Sequence, residues 1–359
     1  MGGLSRASRH HSKPLYDQVH HTVKQNCSAH STPSIIRILR RKGLGLAVNT
    51  MATGLLVLCL MLQGAAAEST AEQAPDIWGK GEVPRITDPG DVPGTLEEIW
   101  AGYNKSYDAH NPLEVKIHKT WEVDGGAIVV NWAQFTLGSF QGKKSIVCGY
   151  WAYPEGAQKL PGLVVFHGGP QTASENGAVN WARLGYAVFH PNHNDKVAMG
   201  GEAQGLPNTD WAAVNAWGAK GPDAPFQADE TTMDAVPSPR NDWQFPRQMS
   251  GRRIITFLQQ QPQVDPSRIG VRGHSTGGSL TTLVSIDPRV TAAVPSVGGV
   301  GGFMDVHPVI TGNTRHLRLD GERRTLFDET LEMRTFWKKM HAPVLLLGAS
   351  NDFNAPDWN

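Results

Sequence analysis

The most constraining feature of this sequence is a short apolar stretch that runs into a serine flanked by glycines. Residues 268–278 are Arg-Ile-Gly-Val-Arg-Gly-His-Ser-Thr-Gly-Gly, and a helix-compatible segment follows them. A serine on a sharp strand-to-helix turn needs strained backbone, and Gly273 and Gly277 remove the Cβ atoms that would clash around it. The turn also places Ser275 at the amino end of a helix, where free N–H groups favour developing negative charge. The pattern therefore predicts Ser275 as a nucleophile.

A second glycine-containing loop, His-Gly-Gly-Pro at 167–170, follows the apolar stretch 162–166. A loop in this place supplies one backbone N–H to the oxyanion of an acyl-transfer intermediate, and the residue after the nucleophile supplies another. Thr276 is predicted as one donor. Gly168, Gly169 or one of the residues just after them is predicted as the other, because glycine lets the backbone approach a substrate closely.

An acidic partner is expected just past the late apolar stretch 343–348, in the chain order serine, acid, histidine. Asp352 stands there, within Asn351-Asp352. Such a dipeptide is by itself a common turn, so the prediction depends on the two glycine loops that precede it. Asp352 is the candidate acid, and Asp357 is the lesser candidate.

Three other residues with reactive side chains are expected to be structural. His274 follows the nucleophile's turn and should point away from the serine's partner. His167 is expected to be a buried hydrogen-bonding residue that shapes its loop. Cys148, within Ser-Ile-Val-Cys-Gly-Tyr, has the surroundings of a small buried side chain in a strand.

Alternating strand-like and helical segments predict an α/β fold with a doubly wound, mostly parallel sheet. The expected parallel strands are 162–166, 186–190, 268–273, 292–297 and 343–348, with a helix near 245–261. Upstream, three strand-like stretches are joined by connections too short for crossover helices, which predicts antiparallel pairing. These stretches are 114–123, 127–137 and 144–152.

The first 67 residues have the composition of a signal peptide with an N-terminal extension. They carry eight Lys or Arg and one acid, and an apolar run at 55–62 is followed by Gly-Ala-Ala-Ala. Cleavage is expected after Ala67, which predicts a secreted or periplasmic protein with no stable membrane partner. An uncleaved anchor is the alternative, which the polar residues within 44–67 disfavour.

The rest of the chain divides into two expected regions. Residues 68–111 are expected to be a linker with one short helix, because Thr95-Leu-Glu-Glu98 has the capping-box spacing. Residues 112–359 are expected to form one domain. Within it, 191–243 has weak periodicity and is predicted to be an insertion over the carboxyl ends of the strands, where open α/β sheets bind ligands.

Charge and tryptophan content bear on the partners. The net charge is zero, but residues 68–359 carry 25 basic and 32 acidic side chains. This acidic balance argues against nucleic acid as a partner. Trp211, Trp217 and Trp243 of the insertion could stack on sugar rings, and core packing is the equal alternative. The sequence indicates no oligomeric state.

Together these stretches resemble the α/β-hydrolase superfamily, and most of all secreted bacterial proteins grouped with acetyl xylan esterases, dienelactone hydrolases and prolyl oligopeptidase-type catalytic domains. The resemblance covers the chain from about Thr136 onward and rests on residues 160–169, 208–211, 273–277 and 351–354. It implies Ser275 as nucleophile, Thr276 and the Gly169 loop as oxyanion hole, and Asp352 as acid. It also implies a small-molecule or carbohydrate ester as substrate and no metal or organic cofactor.

The sequence departs from the family pattern in one respect. The family places its catalytic histidine after one more strand beyond the acid, and the seven residues after Asp352 contain none. His190 and His193 lie at the carboxyl end of an expected strand, but neither occupies the family's position. A fold truncated at its C-terminal end is therefore expected, nearly inactive and poorly stable until a native extension supplies a histidine.

Three functions are open. A serine ester hydrolase, with a preference for short acyl esters such as acetylated sugars, is the leading hypothesis. A prolyl oligopeptidase-type peptidase is the second, although residues 68–158 are too few for the β-propeller that usually precedes such a domain. A non-catalytic hydrolase-like protein that binds an acyl or sugar ligand is the third.

Overall fold

The structure is a computed structural model. It describes residues 76–212, 214, 226–298, 319 and 321–348, which belong to one unit of the chain, Glu72–Asn359. The expected signal peptide, Trp217, Asp352 and Asp357 lie outside the described residues. Within these ranges no helix combines the length and the apolar character needed to cross a membrane.

A seven-stranded mixed sheet forms the centre of the described part. Its strands are β1 Lys116–Val123, β2 Ile128–Phe140, β3 Lys143–Pro154, β4 Leu160–Phe166, β5 Ala187–Pro191, β6 Val264–His274 and β7 Val290–Ser296. Their order across the sheet is β1-β2-β3-β5-β4-β6-β7. The pairs β1/β2, β2/β3 and β3/β5 are antiparallel, whereas β5, β4, β6 and β7 are parallel. The predicted strand pairing is confirmed over these elements.

One short α-helix precedes the strands, and the other α-helices lie between and after them. They are α1 Leu96–Trp100, α2 Glu175–Arg183, α3 Gln244–Gln259, α4 Thr276–Val284, α5 Gly321–Thr330 and α6 Met333–Lys339. The predicted capping box starts α1, since the Thr95 hydroxyl accepts the Glu98 N–H and the Glu98 carboxylate accepts the Thr95 N–H. Between α1 and β1, Tyr103–Asp108 forms a π-helical turn.

Apolar side chains on the central strands alternate between the two faces of the sheet. In β4, Val164 and Phe166 belong to the core cluster that includes the apolar residues of α3 and α4. Leu163 and Val165 belong to the opposite cluster, with the alanines and valine of α2. Helices therefore cover both faces, as the predicted doubly wound arrangement requires.

The register of β4 and β6 determines where the two glycine loops meet. Phe166 pairs with Gly273 in the parallel ladder. Because both strands end at the same edge of the sheet, the loop 167–170 leaves β4 beside the turn at Ser275.

The predicted strand 343–348 is only partly formed. It makes two isolated parallel bridges to β7, Ala293 to Val344 and Ser296 to Leu347. The apolar composition of this segment predicted a buried strand. Leu345 and Leu347 are instead 59% and 44% exposed. Among the described residues this segment pairs only with β7, so it lies at the edge of the sheet.

The N-terminal residues 76–86 pack as an arm against the domain. Trp78 is buried, and its ring stacks on those of Trp100 and Phe245 at centroid distances of 5.2 and 5.9 Å. The described parts of the insertion, 191–212 and 226–243, contain short 3-10 turns at Gly201–Ala203 and Pro239–Asn241 and no α-helix.

Candidate active site

Ser275 lies between β6 and α4 with a strained backbone. Its φ is 56° and its ψ is −120°, in a region that residues with a side chain rarely adopt. Its N–H donates to the carbonyl of Ser296 at 2.9 Å, and its carbonyl accepts the N–H of Ser279 at 3.1 Å. The neighbouring strand and helix thus hold Ser275 in the conformation that a nucleophile on a sharp strand-to-helix turn requires.

Three glycines make the close packing around Ser275 possible. A Cβ on Gly273 would lie 2.2 Å from the carbonyl oxygen of Gly277, and one on Gly277 would lie 2.4 Å from that of Phe166. Gly298 has φ +143°, and its Cβ would lie 2.4 Å from the Ser275 carbonyl oxygen. Gly273 and Gly277 were expected from the sequence. Gly298, in the segment after β7, was missed, although its place in Val297-Gly298 at a strand end is a turn signal.

The structure distinguishes the two glycines of the His-Gly-Gly-Pro loop. The Gly168 N–H donates to the Gln171 side-chain oxygen at 3.0 Å. Gly169 lies against the turn, because a Cβ on it would be 2.9 Å from the Thr276 hydroxyl oxygen. Among the described residues the Gly169 N–H has no acceptor, and the Thr276 N–H is the first of α4 and has no intrahelical acceptor. The N–H groups of Gly169 and Thr276 therefore both lie beside the Ser275 turn without an acceptor among the described residues.

Sequence comparison identifies the family. The sequence model of the dienelactone hydrolase family matches residues 147–356, more than half of the chain, including the Ser275 turn and the His-Gly-Gly-Pro loop. The chain belongs to the dienelactone hydrolase family. The predicted hydrolase class is confirmed by this membership. No curated protein matches the sequence.

Solved structures show the fold of this dienelactone hydrolase family member. The acetyl xylan esterase from Paenibacillus sp. R4 matches with a TM-score of 0.55 and 16% identity, over 77% of this chain and 84% of that one. Acetyl xylan esterase 1 from Thermoanaerobacterium sp. JW/SL YS485 matches with a TM-score of 0.54 and 17% identity, over 80% and 85%. At this identity the likeness is one of fold, and it confirms the predicted α/β-hydrolase architecture.

His167 of this dienelactone hydrolase family member is a buried, fully hydrogen-bonded residue. Its Nδ1–H donates to the Gly168 carbonyl at 2.7 Å, and its Nε2 accepts the His193 N–H at 3.1 Å. Burial lowers the pKa of His167 to about 4, so the ring is neutral at pH 7. Both ring nitrogens are engaged, which supports the expected role in shaping the loop.

His190 and His193 are also buried and neutral. The His190 Nδ1 accepts the Ser174 N–H at 3.4 Å, and burial lowers the pKa of His190 to about 3. The His193 ring stacks on His167 at a centroid distance of 3.4 Å, and burial lowers its pKa well below the usual value. In the described part of the chain, the Ser275 hydroxyl has no hydrogen-bond partner, so neither ring contacts it in this way.

The remaining candidates differ in their surroundings. Trp211 is 3% exposed within the hydrophobic core, which favours the packing alternative for this residue. The Trp243 ring lies 4.6 Å from the Arg247 guanidinium. Cys148 is buried in β3, and burial raises its pKa to about 12, so it is a neutral thiol. No three His, Cys, Asp or Glu side chains converge as metal ligands would within the described ranges.

Proposed function

We propose that this protein hydrolyses carboxylic esters through an acyl-enzyme on Ser275. The observation that carries the proposal is the strained Ser275 backbone at the amino end of α4, directly beside Gly169. Strain of this kind persists only where surrounding structure holds it, and it marks functional turns. Membership of the dienelactone hydrolase family supports the same reaction class.

Each reaction step assigns a role to a described group. The Ser275 oxygen attacks the acyl carbon, and the N–H groups of Thr276 and Gly169 stabilise the negative oxygen of the tetrahedral intermediate. The C–O bond to the alcohol breaks, and the alcohol leaves with a proton. Water then attacks the acyl carbon and gives up a proton, the Ser275–acyl bond breaks, the Ser275 oxygen takes that proton back, and the carboxylic acid is released.

The proton of Ser275 passes to an imidazole that a carboxylate holds in place. We propose Asp352 as that carboxylate. His167 has both ring nitrogens engaged, and the pKa values of about 4 and 3 make His167 and His190 weak bases at pH 7. These properties support the proposal that the general base is a histidine other than His167 and His190.

The proposed substrates are short acyl esters of small molecules or carbohydrates. Two proteins of similar fold are acetyl xylan esterases, which makes acetylated xylan the first polymer to test. The measurement is acetate release from acetylated xylan against cleavage of a prolyl peptide substrate. Faster cleavage of the peptide would reverse the order of the two enzyme hypotheses.

The nucleophile is tested with a fluorophosphonate probe and p-nitrophenyl acetate. We expect the probe to label Ser275, and Ser275→Ala to lose labelling and at least about a thousandfold of any ester turnover. Ser279→Ala, one turn further along α4, is the matched control and should keep both. Labelling that persists in Ser275→Ala would place the nucleophile elsewhere. Absence of labelling in the native chain would favour the non-catalytic binding protein.

We also propose that the protein is secreted after cleavage following Ala67. N-terminal sequencing of exported material should then begin at Glu68. Recovery of exported or membrane-bound protein with residues 37–62 intact would instead establish an uncleaved anchor.

A further inference from the structure

A cavity of about 250 Å³ lies beside the Ser275 turn, on the face of the sheet that α2 covers. Trp181 of α2 and His274, the residue before the nucleophile, both line it. Its volume is just below the range of about 300–1,000 Å³ that holds drug-sized ligands, so it suits a small molecule. No local sequence pattern indicates this cavity, because its walls come from separate strands, a loop and a helix.

Among the described residues that line this cavity Arg272 is the cation, and no described carboxylate gives it a counter-charge. Its guanidinium lies 4.6 Å from the centroid of the Trp181 ring, and its Nε is buried without a hydrogen-bond partner. Burial alone lowers its pKa, with no carboxylate acting on it. Arg272 is half-buried, and desolvation of the buried part of its guanidinium is unfavourable unless an anion or a set of acceptors compensates it.

Three arginines of the described chain that are more deeply buried than Arg272 show what Arg272 lacks. Arg240, Arg252 and Arg253 each form an ion pair with an aspartate at 2.9–3.2 Å. Arg272 forms no ion pair with any described residue. The guanidinium of Arg272 is therefore available to pair with a ligand, whereas those of Arg240, Arg252 and Arg253 already pair with carboxylates of the protein.

The other polar groups of the cavity are mainly hydrogen-bond donors. The Gln171 oxygen accepts the Gly168 N–H, which leaves the amide NH₂ of Gln171 to donate. The His190 Nδ1 accepts a backbone N–H, so the proton of the neutral ring is on Nε2. Thr172 adds a hydroxyl, and no acidic side chain is among the described residues that line the cavity. A site that contains a cation, several hydrogen-bond donors and no carboxylate is suited to bind an anion.

We propose that this cavity binds a small organic carboxylate, with the Arg272 guanidinium as its charge partner and the Trp181 ring as an apolar wall. Arginine suits this role because its planar fork matches a carboxylate in two parallel hydrogen bonds. Arg272 lies in β6, and Ser275 lies in the turn that follows it, three residues further on. The reacting carbonyl of an ester carries no charge with which Arg272 could pair. The carboxylate is therefore a second group, carried by another part of an ester or by a separate acid, and the site does not depend on the proposed acyl-enzyme.

The test is calorimetric titration of the full chain with sodium benzoate and with benzamide, its neutral counterpart of similar shape. We expect benzoate to bind at least tenfold more tightly than benzamide, and Arg272→Gln to weaken benzoate at least tenfold. Arg268→Gln is the matched control, because Arg268 is an exposed arginine of the same strand that already pairs with Asp265. Ser275→Ala should bind benzoate as the native chain does, so this outcome is independent of catalysis.

Three results would overturn the proposal: no benzoate binding to the native chain, equal binding of benzoate and benzamide, or unchanged benzoate binding in Arg272→Gln. If Arg272→Gln does not fold, the benzoate–benzamide comparison on the native chain decides, and Arg272→Lys should bind more weakly because it loses the planar fork. With an ester substrate, competitive inhibition by benzoate would assign the carboxylate to the substrate. Binding without inhibition would assign it to a separate acid. Both results support the site.

Discussion

At the scale of single residues, backbone geometry marks the candidate nucleophile more sharply than side-chain contacts do. Ser275 has a positive φ, and the glycines at 273, 277 and 298 lie where a Cβ would be less than 2.5 Å from a carbonyl oxygen. Side-chain flexibility cannot relieve such contacts, because the opposing atoms belong to the backbone. Close packing of three backbone segments therefore holds Ser275 in its strained conformation.

Replacement of Gly277 tests this packing. A Cβ in Gly277→Ala would meet the carbonyl oxygens of Phe166 at 2.4 Å and His167 at 2.7 Å, so β4 and α4 must separate. We expect a loss of about 1–3 kcal/mol in the free energy of unfolding and loss of serine labelling. Gly200→Ala is the control, because nothing lies within 4 Å of its Cβ position and its φ is −103°. Urea unfolding measures both variants, and equal stability would contradict the packing argument.

At the scale of elements, buried arginines join segments that are distant in sequence. Arg240 is fully buried and donates to the carbonyls of Ile77 and Pro84 at 2.7 and 2.6 Å, while pairing with Asp234 at 2.9 Å. The Ile86 N–H donates to the same aspartate at 3.0 Å. These contacts attach both ends of the N-terminal arm to the segment before α3.

Removal of this arginine should release the arm. Arg240→Met leaves Asp234 as an uncompensated buried charge and two carbonyls without donors, which costs about 3–5 kcal/mol. We expect a lower urea midpoint and faster proteolytic cleavage within 76–86. Arg268→Gln breaks an exposed pair and should change neither. An unchanged cleavage rate in Arg240→Met would show that aromatic packing of Trp78 alone holds the arm.

At the scale of the whole molecule, the buried histidines couple stability to pH. His167, His190 and His193 lie near one another where parallel strands end, and all three have lowered pKa values because they are buried. The unfolded chain binds protons on these rings near pH 6.5, whereas folded His167 does so only near pH 4. Between these values the unfolded state holds more protons, so stability rises with pH and is lost as pH falls.

We expect the unfolding free energy to fall on acidification from about pH 6.5 towards pH 4, with His167 alone contributing about 3 kcal/mol. Asp242 acts in the opposite direction, because burial raises its pKa to about 6. The His167 contribution is therefore isolated by comparing the native chain with His167→Asn, which should have a shallower pH dependence. His110→Asn, at an exposed position, should keep the native slope. Equal slopes in all three proteins would refute the burial argument.

Much of the fold and part of the site followed from local sequence patterns. Short apolar runs predicted the parallel strands, tight connections predicted antiparallel pairing, and Thr95 with Glu98 predicted the start of α1. The Gly273 and Gly277 spacing predicted the turn at Ser275. These features were accessible because each depends on residues near one another in the chain, whose backbone preferences and periodicity act locally.

Other features depended on atoms that only tertiary structure brings together. The Gln171 side chain engages the Gly168 N–H, whereas the Gly169 N–H has no acceptor among the described residues, and glycine content alone did not distinguish the two. Core packing determined the burial of Trp211. The fold also determines that Arg240, Arg252 and Arg253 each contact an aspartate, whereas Arg272 contacts no described carboxylate. Desolvation and hydrogen bonding are set by distances between residues far apart in sequence, and no local pattern records those distances.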